Sequence, residues 1–269
     1  LSSTAGSSPR PCLPPRLSPL NLSNIEAYFI NFLFDIIQRY IKIRVSLPYT
    51  PATMLSSSIG KKAIMSVTGL FLILFLTLHV TANLTILLGP EAYDAVTEFM
   101  GTHPFIQIMV PVLALGFAVH IGYSFILALR NRKARGPAGY AAPARSKGLG
   151  FDHWASRNML VLGVIVLGFL VLHLSHFWMK MQWQQITGGT PENGYTLVTG
   201  YLGTPWVAIC YMIWFSALWF HINHGFWSAF QTLGLNNRRI FPLIRKVSFI
   251  YSTLLFAGFT LIVIWCMFF

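Results

Sequence analysis

Four histidines lie inside four separate apolar runs of this sequence, one in each run: His79, His120, His173 and His221. An imidazole is costly to place in a bilayer, so a histidine within a membrane span is first interpreted as functional. Imidazole nitrogens are also common metal ligands. Two haem irons, each held by two histidines, need four such side chains on facing helices. The pattern therefore predicts two haem groups as cofactors, each held by two histidines.

The runs themselves have the length and composition of membrane helices. The sequence is 55% hydrophobic and only 10% charged, which is typical of an integral membrane protein. Residues 110–129 contain no Asp, Glu, Lys or Arg, and about 20 apolar residues suffice for a helix to cross the hydrocarbon core. We therefore predict an all-α integral membrane protein with five transmembrane helices joined by loops. The predicted helices cover about residues 64–88, 104–129, 158–179, 205–230 and 247–269.

Basic residues concentrate at one end of these helices. The net charge is +12, but Lys and Arg cluster in short segments between the runs, which indicates membrane topology rather than nucleic-acid binding. Lys61, Lys62 and the basic segments 130–157 and 238–246 fall on one side, and segments 89–103 and 182–203 fall on the other. The positive-inside rule predicts a cytoplasmic N-terminus and an outer C-terminus. The three cysteines show no CxxC spacing, so a zinc site or covalently attached haem has no support.

Residues 1–53 differ from the rest of the sequence. Their first part is rich in Pro and Ser and lacks the composition of a core. Residues 25–45 are apolar but are interrupted by five charged side chains. We expect this region to be a poorly ordered or spurious N-terminal extension, with the functional membrane domain covering residues 54–269.

The predicted topology assigns a depth to each histidine, at about 1.5 Å per residue of helix. His79 and His173 fall in the outer half of the membrane, and His120 and His221 fall in the inner half. One iron takes one imidazole from each side, so its two ligands must lie at matched depths. The first four helices are therefore expected to form a haem-binding bundle.

Two further histidines leave the ligand assignment open. His176 follows His173 by three residues, and His224 follows His221 by three, so each pair is expected to share a helix face. Depth favours His173 and His221 as ligands, with the other two bonding propionates, quinone or water. Packing alone is the alternative for any single histidine.

Several segments together resemble a known family. They are GKKAIMSVTGL and LTLHVTAN in the first run, AVHIGYSFILAL in the second, VLHLSHFW in the third and FHINHGFWSAFQTLG in the fourth. Residues 56–269 resemble the cytochrome b membrane anchor of succinate dehydrogenase/fumarate reductase, in its single-polypeptide, five-helix, two-haem form. The resemblance puts His79, His120, His173 and His221 on the axial-ligand positions of that family, and it favours His221 over His224.

The resemblance implies an electron-transfer subunit of respiratory complex II, an enzyme of the tricarboxylic acid cycle. The expected partners are a flavoprotein subunit, an iron–sulfur subunit and a membrane quinone, with menaquinone favoured, and the expected location is the bacterial inner membrane. Lys62, Ser66 and Arg157 are inner candidates for haem propionate contacts or for orienting ligands. Glu98 and His103 are outer candidates for the quinone or proton route.

The chain has no dinucleotide fingerprint, phosphate-binding loop or nucleophile–base pattern. We therefore expect quinone chemistry here but no succinate active site. Two alternatives remain, namely another two-haem membrane cytochrome without a dehydrogenase, and a haem-free anchor or transporter. The predicted spans contain no Asp or Glu, which counts against a proton-coupled carrier.

Overall fold

A computed structural model describes residues 57–136 and 150–269, and in this part of the chain all regular structure is helical, with no strand. In chain order the α-helices are α1 Ser58–Asn83, α2 Pro90–Thr102, α3 Pro104–Arg135, α4 Gly150–His173, α5 Gln182–Ile186, α6 Gly194–Leu202, α7 Pro205–Thr232 and α8 Phe241–Phe268. A 3₁₀ turn, Leu84–Leu88, follows α1, and a π turn, Leu174–Trp178, follows α4.

Five of these helices, α1, α3, α4, α7 and α8, are long and apolar enough to cross a membrane. The predicted all-α fold with five spans is therefore confirmed. The helices extend past the apolar runs: α3, for example, continues to Arg135 instead of ending near residue 129. Lys and Arg are good helix formers, so a helix continues into the basic segment after the apolar run has ended.

The helices α1, α3, α4 and α7 surround a shared interior. α1 packs against α3 and α7, α4 packs against α7, and α3 touches α4 only lightly. α8 lies outside this group against α7 and α1. In the most apolar part of α7, 44% of the residues are buried, compared with 6% for α4, so α7 is the central helix.

Several helix starts are set by local chemistry. Prolines occupy the first turn of α2, α3, α7 and α8, where the missing proline N–H costs no hydrogen bond. The Ser57 side chain caps α1 by accepting from the Gly60 N–H at 2.9 Å. The Asn193 side chain caps α6 by accepting from the Thr196 N–H at 2.9 Å.

The segments predicted as outer loops are largely helical, which corrects that expectation. Segment 89–103 contains α2, and segment 182–203 contains α5 and α6. Asp94 on α2 accepts from the Asn193 side chain at 2.7 Å and from the Tyr195 N–H at 2.9 Å, and so ties α2 to α6. We call α2 and α6 the outer cap. Short helices like these depend on such tertiary contacts, because isolated helices of their length are marginal in water.

Some predictions fall outside the described residues. They include the proposed N-terminal extension 1–53 and part of the basic segment between α3 and α4. We call the end of the bundle that carries Lys61, Lys62 and Arg157 the inner end. The opposite end, which carries α2, α5 and α6, is the outer end.

Candidate functional site: two histidine pairs

The outer histidine pair joins α1 to the end of α4. The ring centroids of His79 and His173 lie 5.7 Å apart, with the ring planes at 80°. Phe75 and Phe259 lie beside His79, with centroid distances of 5.3 and 6.2 Å. Trp214 lies 5.4 Å from His173. Two imidazoles therefore meet in a predominantly aromatic environment.

The inner pair joins α3 to α7. The ring centroids of His120 and His221 lie 6.4 Å apart, with the planes at 75°. The two pairs that the depth argument predicts are thus the ones whose rings lie next to each other. Their role as ligands stays a prediction.

One buried nitrogen of each pair lacks a hydrogen-bond partner among the described residues, as do the indole nitrogens of Trp214, Trp227 and Trp265. Edge-to-face rings also pack with centroids 4.5–7 Å apart, so distance alone decides nothing. However, the buried Nδ1 atoms of His173 and His221 have no hydrogen-bond partner among the described residues. A buried polar atom without a partner costs about 1–3 kcal/mol. Since an imidazole can present either nitrogen by ring rotation, a metal ligand is one role that would account for these atoms.

The separation of the rings also fits a metal held between them. Two imidazoles on opposite sides of one metal ion, with metal–nitrogen bonds of about 2.0 Å, place their ring centroids roughly 6 Å apart. Within the described residues, no three side chains of His, Cys, Asp or Glu group together as metal ligands. Each pair brings two imidazoles together, and haem iron needs two protein ligands because the porphyrin supplies the others.

His176 lies in the π turn that follows His173 and has contacts of its own. His176 stacks on Tyr201 with a centroid distance of 4.3 Å, and its Nδ1 lies 3.2 Å from the Tyr211 hydroxyl. His173 and His176 nevertheless share two neighbours: the centroid of Tyr211 lies 6.2 and 6.1 Å from their rings, and that of Phe177 lies 5.1 and 6.1 Å away. The expected shared face therefore stays a prediction. π turns are frequent at functional sites.

His224 contacts Trp227, with a centroid distance of 4.6 Å, whereas it is His221 whose ring faces His120. The geometry thus places His173 and His221, not their neighbours, within the two pairs. It does not by itself assign a ligand.

The inner candidates differ in exposure. Ser66 is buried in α1, with 5% of its surface exposed, whereas Lys62 and Arg157 are exposed. Lys62 precedes Ser66 by about one turn, so both lie in the part of α1 nearest to His120. Exposed Lys62 and Arg157 are available to groups at the membrane surface.

The outer candidates lie at the corner between α2 and α3. Glu98 is exposed on α2. His103 caps α3, because its Nδ1 accepts from the Phe105 N–H at 3.3 Å, and its ring packs 4.8 Å from Phe99. No described contact joins either residue to the histidine pairs. His103 therefore has a structural role that its position before Pro104 could have indicated.

Sequence reasoning missed the aromatic residues that contact the outer pair. Tyr211, with only 2% of its surface exposed, and Trp214 lie three residues apart on α7 and contact His173 with centroid distances of 6.2 and 5.4 Å. The i, i+3 spacing of two amphipathic aromatics in an apolar run is the signal that could have found them.

Ionisable groups outside the spans show how the outer end is built. Burial raises the pKa of the Tyr93 hydroxyl, which donates a hydrogen bond to Asn83 Oδ1 at 2.9 Å. The hydrogen bond from Lys180 to Glu192, with an N–O distance of 3.0 Å, raises the pKa of the exposed lysine. Tyr93 belongs to the packed cap, whereas Lys180 lies at its solvated edge.

Comparisons with protein-family models, with curated proteins and with solved structures found no match for this chain. The resemblance to a cytochrome b anchor therefore rests on the motifs described above.

Proposed function

We propose that this chain is the cytochrome b membrane anchor of a succinate:quinone oxidoreductase, with two haem b groups each held by two histidines. The observation that supports the proposal most directly is the presence of two separate, half-buried histidine pairs in one bundle of membrane helices. A single buried histidine has many structural roles. Two pairs, one towards each end of the bundle, match the ligand needs of a two-step electron path across a membrane.

In this proposal His79 and His173 hold the outer haem, and His120 and His221 hold the inner one. Haem, when bound, supplies reversible one-electron transfer at its iron. The chain's own residues orient the four imidazoles and exclude water. Phe75, Trp214 and Phe259 contribute the apolar surroundings of the outer pair, and burial of this kind tunes a reduction potential.

The partners follow from the same proposal. An iron–sulfur subunit, itself bound to a flavoprotein subunit that carries the succinate chemistry, docks at the inner end near Lys61, Lys62 and Arg157. Membrane quinone, with menaquinone favoured, exchanges electrons with this chain, and Glu98 is the exposed outer acid proposed for the accompanying protons. The chain lies in the bacterial inner membrane with its N-terminus in the cytoplasm, as the positive-inside rule indicates.

The decisive experiment is a reduced-minus-oxidised visible spectrum of the purified full chain, with haem counted per chain. We expect two low-spin b haems, falling to about one in His79→Ala and in His120→Ala. The matched controls are His176→Gln and His224→Gln, which change the neighbouring histidines and should keep both haems.

Each of the other outcomes identifies a different alternative. A wild-type protein without haem contradicts the proposal and leaves a membrane anchor or transporter. A single haem shows that one pair is wrongly assigned, and the variant that keeps its spectrum identifies that pair. Two haems without co-purifying flavin and iron–sulfur subunits from native membranes favour the two-haem carrier that has no dehydrogenase.

A further inference from the structure

The His120 imidazole is held by the backbone of the neighbouring helix α1. Its Nδ1 lies 3.2 Å from the Met65 carbonyl oxygen and 3.4 Å from the Thr68 hydroxyl oxygen. The Thr68 hydroxyl is itself within hydrogen-bond distance of the Ile64 and Met65 carbonyls, at 2.9 and 3.1 Å. The first distance is that of an ordinary hydrogen bond, and the second is that of a weaker one.

These partners determine which nitrogen carries the proton. A carbonyl oxygen can only accept a hydrogen bond, so the nitrogen facing Met65 must be the donor. Because the Thr68 hydroxyl hydrogen is directed to the carbonyls of its own helix, its oxygen is left to accept as well. A neutral imidazole with a proton on Nδ1 has its free lone pair on Nε2. Nε2 is then the nitrogen able to bind a metal.

Gly69 makes this contact possible. In an α-helix the carbonyl of Met65 accepts from the N–H of Gly69, four residues later, and only its second lone pair remains available. A Cβ added to Gly69 would lie 3.1 Å from His120 Cε1 and 3.5 Å from its Nδ1. The first separation is tighter than ordinary van der Waals contact, so the ring would have to move. The missing side chain therefore gives the imidazole access to the carbonyl.

We propose that the Met65 carbonyl, Thr68 and Gly69 form a cradle on α1 that holds His120 in its Nδ1–H tautomer and leaves Nε2 free for iron. Thr68 and Gly69 are positioning residues in this scheme. The inference deepens the proposed function and rests on it for the identity of the metal. Hydrogen bonding of a ligand imidazole through its second nitrogen fixes its orientation and raises its basicity.

The two histidines of the inner pair differ in the hydrogen bonding of their Nδ1 atoms. His221, which faces His120, has its Nδ1 buried without a hydrogen-bond partner among the described residues. A Cβ at Gly163, the glycine on α4 nearest to His221, would lie 3.7 Å from His221 Cε1, which is ordinary contact. Gly163→Ala is therefore a matched control for Gly69→Ala, because both place one methyl group beside an inner-pair imidazole.

The first test measures haem potentials in the full chain by redox titration of the visible spectrum. We expect Gly69→Ala to raise the midpoint potential of the inner haem only, because a longer Nδ1–H···O bond makes the imidazole a weaker donor. Thr68→Val should raise the midpoint potential of the inner haem by a smaller amount, since the Met65 carbonyl remains as an acceptor for Nδ1–H. Gly163→Ala should leave both potentials unchanged. Thr81→Val should do so too, because Thr81 is exposed on the same helix and its hydroxyl donates to the Thr77 carbonyl within that helix.

The second test does not depend on haem. Nitrogen-15 NMR of histidine-labelled full chain before haem loading, with His120→Gln used to assign the signal, reports the tautomer directly. We expect a single Nδ1–H form for His120. An Nε2–H form, or exchange between the two tautomers, overturns the cradle.

The two tests separate failure of the cradle from failure of the proposed function. If the wild type binds two haems but Gly69→Ala and Thr68→Val leave the inner potential unchanged, the cradle is refuted and the electron-transfer function stands. If the wild type binds no haem, the function fails, and the NMR result alone decides whether the cradle holds His120.

Discussion

Replacement of Asp94 should loosen the outer cap without disturbing the membrane helices. Its carboxylate accepts from the Asn193 side chain at 2.7 Å and from the Tyr195 backbone N–H at 2.9 Å. Hydrogen bonds to a charged acceptor contribute about 1.5–3 kcal/mol each when well shielded. Since this site is partly exposed, solvent reduces their sum to about 1–3 kcal/mol.

The isosteric variant is especially informative. In Asp94→Asn the side chain has one acceptor oxygen, and its NH₂ group faces a donor. Only one of the two hydrogen bonds can form, so Asp94→Asn should loosen the cap, though by less than Asp94→Ala, which removes both. Glu98→Gln is the matched control, because Glu98 is an exposed acid on the same helix.

Hydrogen–deuterium exchange in detergent measures this effect locally. A loss of about 1–3 kcal/mol corresponds to roughly 5- to 150-fold faster exchange if the amides exchange by local opening. We expect this acceleration in the first turn of α6, with α1 and α7 unchanged. Unaltered exchange in α6 for both Asp94 variants would refute the idea that this carboxylate holds the cap together.

Two further substitutions test the packing around the outer end. Gly203→Ala should destabilise the protein by about 1–3 kcal/mol, because the added Cβ would lie 2.6 Å from the Thr199 carbonyl oxygen and 2.9 Å from that of Cys266. Thermal unfolding in detergent should show a lower midpoint for Gly203→Ala. The control Gly200→Ala should keep the wild-type midpoint, because nothing lies within 4 Å of its new Cβ. Equal midpoints for the two variants would contradict the reasoning. Tyr93→Phe removes the hydrogen bond to Asn83 from a buried ring and should cost about 1 kcal/mol in the same assay, so an unchanged midpoint would show that the bond adds no net stability.

The sequence alone determined the membrane class, the five spans and the choice of histidines worth attention. Uncharged runs of this length suit a membrane-spanning helix, in which every backbone polar group is satisfied within the same segment. The depth of a histidine then follows from its place in the run and the fixed rise of the helix. These properties depend only on position along the chain, and they pointed to His79 with His173 and to His120 with His221.

Tertiary structure decided what depends on helix phase and on neighbours distant in sequence. His176 lies in the π turn after α4 and stacks on Tyr201, and no local pattern in LSHFW announces the extra residue in that turn. The short helices α2 and α6 are stabilised by hydrogen bonds between the Asp94 carboxylate and partners about a hundred residues away in sequence. Their local helix propensity was therefore too weak to predict them as helices.

The contact between His120 and the Met65 carbonyl likewise exists only when α3 packs against α1. A glycine four residues after the carbonyl leaves room for the ring, but a sequence does not state which side chain of another helix will fill that space. Spans and depths are local properties of the chain, whereas the orientation of each imidazole is set by the packing of two helices.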